Sequence, residues 1–384
     1  MTPEQQARAL VDSLGPEALA KAAAYTTGNH WLQFLGFLLF VVLALVIVRS
    51  RLLERLPRPR SPFLRAWLTV AAFLLLAGLL GLGFDLWAEW ARETRYGRTS
   101  QPLTDWLGQY ALASVLEIGF GALFAAGLYT LIRRARSRWW LWSGGFVAAV
   151  LTLLLLISPV VIEPLFNDYQ PLPEGPVRAA LEVQAEAAGV PKDRIFVYDG
   201  SRQSNNFTAN VSGLFGSARI AISDVALKGA DIDEVRAVTG HEIGHYVLGH
   251  VWRSVLLFSG LAILAFFLVD RLYPRVARLL GVRVGLEDPL GFPAIMVAGS
   301  AVALLLQPLV NAHIRRGERE ADRYSLETVN LPDGLASALV KTAEYRNPRP
   351  HPLEEAIFYT HPSVEQRVLS AMQWKADHPP AAAP

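Results

Sequence analysis

The chain has 384 residues, 52% of them hydrophobic, with a formal net charge of only +2. Its arginines sit in short clusters beside apolar blocks, which gives no case for nucleic-acid binding. The absence of cysteine excludes disulfides and thiolate metal ligands and leaves the compartment open.

Residues 1–30 mix charge with Ala and Leu and lack a compact signal-peptide pattern. They predict an uncleaved interfacial or lumen-facing helix. Six apolar blocks follow along the chain: Trp31–Val48, Ala66–Leu86, Ala111–Ile132, Leu141–Ile162, Ser254–Val269 and Phe292–Leu309. Each is near the roughly 20 residues that cross a bilayer. The alternative, buried helices of a large soluble core, is disfavoured because Trp and Arg gather at the block edges as they do at membrane interfaces. Residues 1–162 therefore read as an N-terminal membrane domain of about four spans, and 163–384 as a second domain that includes the spans at 254–269 and 292–309. An Ala/Pro tail at 379–384 reads as disordered.

Between the fourth and fifth spans, Pro176–Ala188 has a helical pattern and Arg194–Tyr198 is strand-like. Phe207–Val211 and Ala218–Ser223 then flank a Gly213/Gly216 turn. Asp231, with Glu234 three positions on, marks a helix start, and Val235, Val238, Ile243 and Val247 recur at near-helical spacing. That helix carries His241-Glu242-Ile243-Gly244-His245. Residues four apart share a helix face, so both imidazoles reach one metal while Glu242 flanks its open position. With eight histidines in the chain, a chance HExxH is expected on the order of one time in a hundred. The pattern predicts a zinc peptidase in which the metal polarises the scissile carbonyl and Glu242 is the proton shuttle.

A peptidase zinc needs a third protein ligand. His250, nine residues after His241, is half a turn out of phase on an ideal helix and is expected to face away. The metzincin spacing is absent, since Leu248 and Val251 stand where Gly and His would be required. Downstream, Glu318 and Asp322 lie four apart in Arg315-Arg316-Gly317-Glu318-Arg319-Glu320-Ala321-Asp322. This is the gluzincin arrangement, a carboxylate ligand with a second carboxylate one turn on that holds a ligand histidine's tautomer. Glu320 is expected to point elsewhere, into solvent. Without the HExxH helix, the same run reads as exposed i,i+4 ion pairs.

A strand just before the zinc helix offers an edge to which an extended peptide can add, with Ala209 and Asn210 as the substrate-binding candidates. A plain supporting hairpin is the alternative. Arginines at 49–65, 133–138 and 271–283 crowd alternate connections. The positive-inside rule makes that side cytoplasmic and puts 163–253 and 310–384, with the zinc site, on the non-cytoplasmic face.

Taken together, the HEIGH sequence after a glycine-turned hairpin, Glu318 and Asp322, and the later His361-Pro362-Ser363 with Arg367 resemble the integral-membrane zinc endopeptidases of the CAAX prenyl protease type 1 family and, more distantly, HtpX. Residues 165–175 and 199–204 resemble the linker and strand signatures of the first. The similarity runs from the second span to about residue 370. It implies a mainly α fold, a multi-spanning helical bundle or barrel around an intramembrane chamber with a gluzincin-type catalytic domain and a small β-hairpin. It also implies one zinc held by His241, His245 and Glu318, Glu242 as base, Asp322 as a second acidic group, and His361 and Arg367 as oxyanion stabilisers. The implied partners are the lipid bilayer and a peptide or protein substrate with a prenylated or apolar tail. Alternative functions are quality control of membrane proteins and a non-catalytic membrane scaffold.

Overall fold

The computed structural model describes residues 1–213 and 218–379. Two sequence expectations, a turn position at Gly216 and disorder over 380–384, fall outside the described residues. A short helix, α1 (Pro3–Asp12), is capped by Thr2 and Gln5 in a reciprocal box. The 36-residue α2 (Gly15–Ser50) follows. Next comes α3 (Pro62–Asp85), which runs through a π-helical turn at Leu86–Ala91 into α4 (Arg92–Tyr96). After α5 (Leu103–Ala135) and α6 (Trp139–Ile157), the chain leaves the apolar layer through a second π-helical turn at Ser158–Ile162.

Among the described residues, five helical stretches are long and apolar enough to cross a membrane. One of them, Leu103–Leu165, reverses at Arg136–Arg138, and its arms α5 and α6 pack on each other. The apolar helices thus correspond to the six blocks of the sequence. Their arginine-rich connections meet at one end of the bundle. There Arg49 Nε donates to Leu280 O at 3.4 Å, Arg65 pairs with Asp288 at 2.9 Å and Trp139 Nε1 donates to Asp270 Oδ1 at 2.8 Å. Buried Phe73, Tyr129, Trp139 and Phe292 anchor the shared core, with the Phe73 ring edge-on to Phe292 at 5.6 Å.

At the other end lies a four-stranded sheet made of β1 (Tyr169–Pro171), β2 (Ile195–Tyr198), β3 (Ala209–Ser212) and β4 (Arg219–Ser223) in the order β1-β2-β4-β3. The β2/β4 pair is parallel and the other two are antiparallel. The hairpin expected from sequence is therefore the β3/β4 part of a larger mixed sheet, and the outer strand begins two residues later than expected. Helix α7 (Pro176–Ala187) covers the sheet, and Leu181, Ile195, Ile220, Val235 and Ile243 form the core beneath it.

The short α8 (Asp224–Gly229) leads into α9 (Ile232–Val247), the HExxH helix. Its start is the capping box anticipated from sequence: Glu234 N donates to Asp231 Oδ1 at 2.9 Å, and Asp231 N donates to Glu234 Oε2 at 2.8 Å. Ser337 and Lys341 also bond the buried Glu234 carboxylate, each at 2.6 Å. The chain then breaks at Gly249, whose φ of +66° is the left-handed conformation that glycine adopts without cost. It restarts as α10 (His250–Leu280). The 37-residue α11 (Phe292–Thr328) returns across the apolar layer and carries its last turns beyond it. The helices α12 (Pro332–Thr342), α13 (Pro352–Phe358) and α14 (Val364–Asp377) then wrap the end of the molecule. Residues 1–30, expected to form one helix, are instead divided between α1 and the first turns of α2, and α1 packs Ala7 and Val11 among Leu335, Val364 and Val368.

Candidate metal and catalytic site

Helix α9 lies against α11 through two glycines four residues apart, which therefore share a face. A Cβ on Gly240 would stand 2.5 Å from Val329 Cγ2, and one on Gly244 would stand 3.2 Å from Ala321 Cα. Ser325 Oγ, donating to Ala237 O at 2.7 Å, ties the helices between these points. The close approach brings the two motif histidines to the carboxylates of α11.

His241 Nε2 and His245 Nε2 stand 3.1 Å apart. Glu318 reaches both, with Oε2 at 3.3 Å from the first and Oε1 at 3.3 Å from the second. One donor atom from each of the three residues lies within 4.8 Å of the others, so the group could hold a metal ion. The fit is chemically specific. Glu318 Oε2 is buried with no hydrogen-bond partner, and a buried anion without one is costly unless a cation compensates it. Two imidazoles and a carboxylate are also the donor set of a peptidase zinc with one position open.

Behind this group, Asp322 Oδ1 lies 2.8 Å from His241 Nδ1. This is the ligand-orienting contact expected of the second carboxylate. Arg367 of α14 holds Asp322 in turn, Nε to Oδ2 at 2.7 Å and Nη2 to Oδ1 at 2.6 Å, and is 3.6 Å from Glu318. His361 Nε2 is 3.3 Å from Glu318 Oε2, while its Nδ1 meets Thr360 Oγ1 at 2.9 Å. The structure thus brings all seven candidates from His241 to Arg367 to one place. Burial disfavours a charge on the His241 imidazole, but the contact with Asp322 and the neighbouring Glu318 carboxylate outweigh it and lift its pKa to about 10. A positive charge is favoured at that spot. Burial raises the Glu242 carboxyl above its ordinary range, although the residue keeps part of its surface exposed. Burial also pulls His361 down to about 3, leaving it a neutral ring.

Two sequence expectations are corrected here. His250 does not face away: its Nδ1 lies 2.9 Å from His245 Nδ1. The phase argument assumed one continuous helix, and the break at Gly249 swings the next residue back over the motif. Nor is Glu320 left to solvent. It bonds His250 Nε2 at 3.0 Å, Arg253 at 2.5 Å and Arg316 at 2.9 Å. Sequence reading also missed Arg346, which follows α12 and is near enough to Glu318 and Arg367 to act on them electrostatically. A lone arginine in a turn carries no signal that could have found it.

The outer strand β3 packs against α9 and, among the described residues, is unpaired on its far side. Ser223 N donates to Thr208 O, and Ala209 stands opposite Ile222. Antiparallel alternation then turns the backbone of Asn210 toward β4 and that of Ala209 and Val211 outward. The two candidate substrate-binding residues are therefore not equivalent.

Residues 171–375, over half of the chain and the stretch that holds every group described above, match the sequence model of peptidase family M48. The chain belongs to peptidase family M48. Family membership, with the apolar helices, makes it an integral-membrane metalloprotease. Residues 2–168 match a second model, described as CAAX prenyl protease N-terminal, five membrane helices; here that stretch holds the long helices α2, α3, α5 and α6 with the short α1. Among M48 relatives, the uncharacterized metalloprotease YhfN of Bacillus subtilis is 27% identical over 93% of this chain and 86% of its own. CAAX prenyl protease 1 of Saccharomyces cerevisiae is 25% identical over 96% and 88%, and the Arabidopsis thaliana homologue is 25% identical over 94% and 89%. The crystal structure of S. mikatae Ste24p superposes with a TM-score of 0.74, at 21% identity, over 94% of this chain and 90% of that one. The M48 protein therefore has the Ste24p fold.

Proposed function

We propose that this M48 protein is a zinc-dependent endopeptidase with His241, His245 and Glu318 as metal ligands. The observation that carries this reading is the pairing of two imidazoles, Nε2 to Nε2 at 3.1 Å, with a buried Glu318 oxygen that has no hydrogen-bond partner. Zinc bound there supplies a Lewis acid that polarises the peptide carbonyl and makes water more acidic. Glu242, next to His241 on the same helix, takes the proton from the attacking water and returns it to the leaving amine. Burial raises its carboxyl above the ordinary range, the direction that favours taking up and returning a proton. Asp322 fixes the His241 tautomer by accepting from Nδ1. Neutral His361 is placed to donate from Nε2 to a developing oxyanion once Glu318 is engaged by metal, whereas Arg367 is committed to Asp322. The oxyanion role thus falls to His361, with Arg367 a positioning group.

Residues 1–162 form the membrane domain in this reading, and 163–384 the catalytic domain. The substrate docks as an added strand along the outward edge of β3 at Ala209. Its class is a peptide with a prenylated or otherwise apolar C-terminal tail, as suggested by the curated relatives named CAAX prenyl protease 1. A cavity of about 470 Å³ lined by α2, α3, α5 and α11, with Leu39, Leu43, Leu74 and Met296 among its walls and the acidic Asp85, Glu89 and Glu117 also lining it, offers room for such a tail. Quality control of membrane proteins would need no such tail. The test is Glu242→Gln in a purified, metal-analysed protein, assayed on peptides with and without a C-terminal farnesyl group. The variant keeps its zinc and loses a few orders of magnitude in turnover, and the parent prefers the farnesylated peptides. Near-normal turnover of metal-loaded Glu242→Gln would overturn the mechanism, and indifference to the farnesyl group would favour quality control.

A further inference from the structure

The two ligand histidines are supported differently. His241 presents Nδ1 to a carboxylate, Asp322, at 2.8 Å. His245 presents Nδ1 to another imidazole, that of His250, at 2.9 Å. Nothing in the M48 motif demands the second contact. It arises because α9 ends at Gly249 with φ +66° and α10 begins at once. His250 is 8% exposed, and its far nitrogen, Nε2, meets Glu320 Oε2 at 3.0 Å. Arg253 and Arg316 hold Glu320 from two sides.

Hydrogen-bond bookkeeping leaves one consistent assignment. A neutral imidazole has one donor and one acceptor nitrogen. If His245 turns Nε2 to a metal, its proton sits on Nδ1 and needs an acceptor. His250 can accept at Nδ1 only if its own proton is on Nε2, and Glu320, a carboxylate, accepts that proton. The chain runs His245 Nδ1–H to His250 Nδ1, then His250 Nε2–H to Glu320.

The geometry points to His250 as a positioning residue for the metal centre, fixing the tautomer and ring orientation of His245, with Glu320 fixing His250 in turn. This inference rests on the ligand assignment proposed above. It gives Glu320, two residues from ligand Glu318 but on another face of α11, a specific task. The support reaches α10, so the metal centre is braced from a membrane helix as well as from α14.

The test is zinc affinity, measured by competition with a chromogenic chelator in the full-length detergent-solubilised protein, alongside thermal unfolding of the metal-free form. His250→Phe fills the same space without an acceptor and weakens zinc binding 10- to 100-fold, the usual loss when the partner of a ligand histidine is removed. Glu320→Ala weakens it as well. Glu320→Gln, whose carbonyl still accepts from His250, stays within a few-fold of the parent. The double variant His250→Phe/Glu320→Ala is no weaker than His250→Phe alone, because both act along one path. A purely structural role lowers the melting point of the metal-free protein and leaves affinity unchanged, which overturns the inference; so do single losses that add. If His250→Phe does not fold, the Glu320→Ala and Glu320→Gln pair decides, and equal affinities in the two sink the proposal. A parent protein that takes up no zinc removes the ligand assignment itself, a separate outcome.

Discussion

Arg367 grips Asp322 with two nearly equal bonds, at 2.7 and 2.6 Å, and so decides how Asp322 meets His241. The guanidinium fork suits a carboxylate in a way that an ammonium does not. Arg367→Ala strips the buried Asp322 of its cationic partner and leaves it only His241 Nδ1, so the folded protein loses about 3–5 kcal/mol, and zinc binding weakens about 10- to 100-fold. Arg367→Lys keeps the charge without the fork and recovers stability more than affinity. Melting curves and chelator competition on the two variants check this, and parental values for Arg367→Ala would refute it.

Glu318 is the one carboxylate in the proposed ligand set, with no substitute there. Glu318→Ala yields a folded protein with no stoichiometric zinc and no hydrolysis, and removal of zinc from the parent by a chelator gives the same loss, reversed by adding zinc back. Metal content per chain is the measurement. A zinc-replete Glu318→Ala protein would show that the ligand lies elsewhere.

Gly244 bears on the distance between the helices of the site. A Cβ there would come within 3.1 Å of Tyr324 Cβ and 3.2 Å of Ala321 Cα, and the second of these atoms is backbone that cannot turn aside. Gly244→Ala is expected to cost about 1–3 kcal/mol through overpacking and to weaken zinc binding by spreading the ligands. Gly260→Ala in α10, with nothing within 4 Å of the added Cβ, is the control and changes neither. Equal behaviour of the two variants would show that the contact is not tight.

On strand β3 the outward N–H of Ala209 and the inward N–H of Asn210 separate two roles. Proline removes the donor in either place. Ala209→Pro is expected to raise KM for peptide cleavage several-fold while the fold and zinc content hold. Asn210→Pro breaks the ladder to β4 and lowers the melting point. If Ala209→Pro folds, binds zinc and cleaves at the parental rate, strand addition at this edge is wrong.

Sidedness is testable because the chain has no cysteine. Ser137, exposed between α5 and α6, and Asp193, exposed before β2, mark opposite ends of the bundle. With single cysteines at each, a membrane-impermeant maleimide applied to intact cells reaches Asp193→Cys and not Ser137→Cys, if the arginine-rich end faces the cytoplasm. The reverse pattern would place the metal centre inside the cell.

Much of the site was legible because its chemistry is written at helical spacing. His241 with His245, Glu318 with Asp322, and the Asp231/Glu234 cap each depend on neighbours three or four residues apart, and such pairs survive into any structure where the helix forms. His361 and Arg367 have no such local partner and were reached only through resemblance. His250 was misread for a definite reason: the helix was extended through Gly249, although a glycine closing a helix was a signal available in the sequence. The strand at Tyr169–Pro171 was missed because three residues leave no room for alternation to appear. Arg346 meets the site through tertiary packing alone, which spacing cannot report.

The contact between α1 and α14 has a consequence for biosynthesis. Ala7 and Val11 share a core with Val364, Val368 and Ala371, and Arg349 clasps Asp12 at 2.7 Å. All six apolar helices lie between these segments in the chain. Helix α1 must therefore wait for α14, made only after all of them, and contacts of such long sequence separation form late. Because α14 carries Arg367, the brace on Asp322 and His241 arrives only with that closure. A half-inserted chain already displays HExxH but lacks the brace, so maturation of the peptidase is timed by completion of its own membrane insertion.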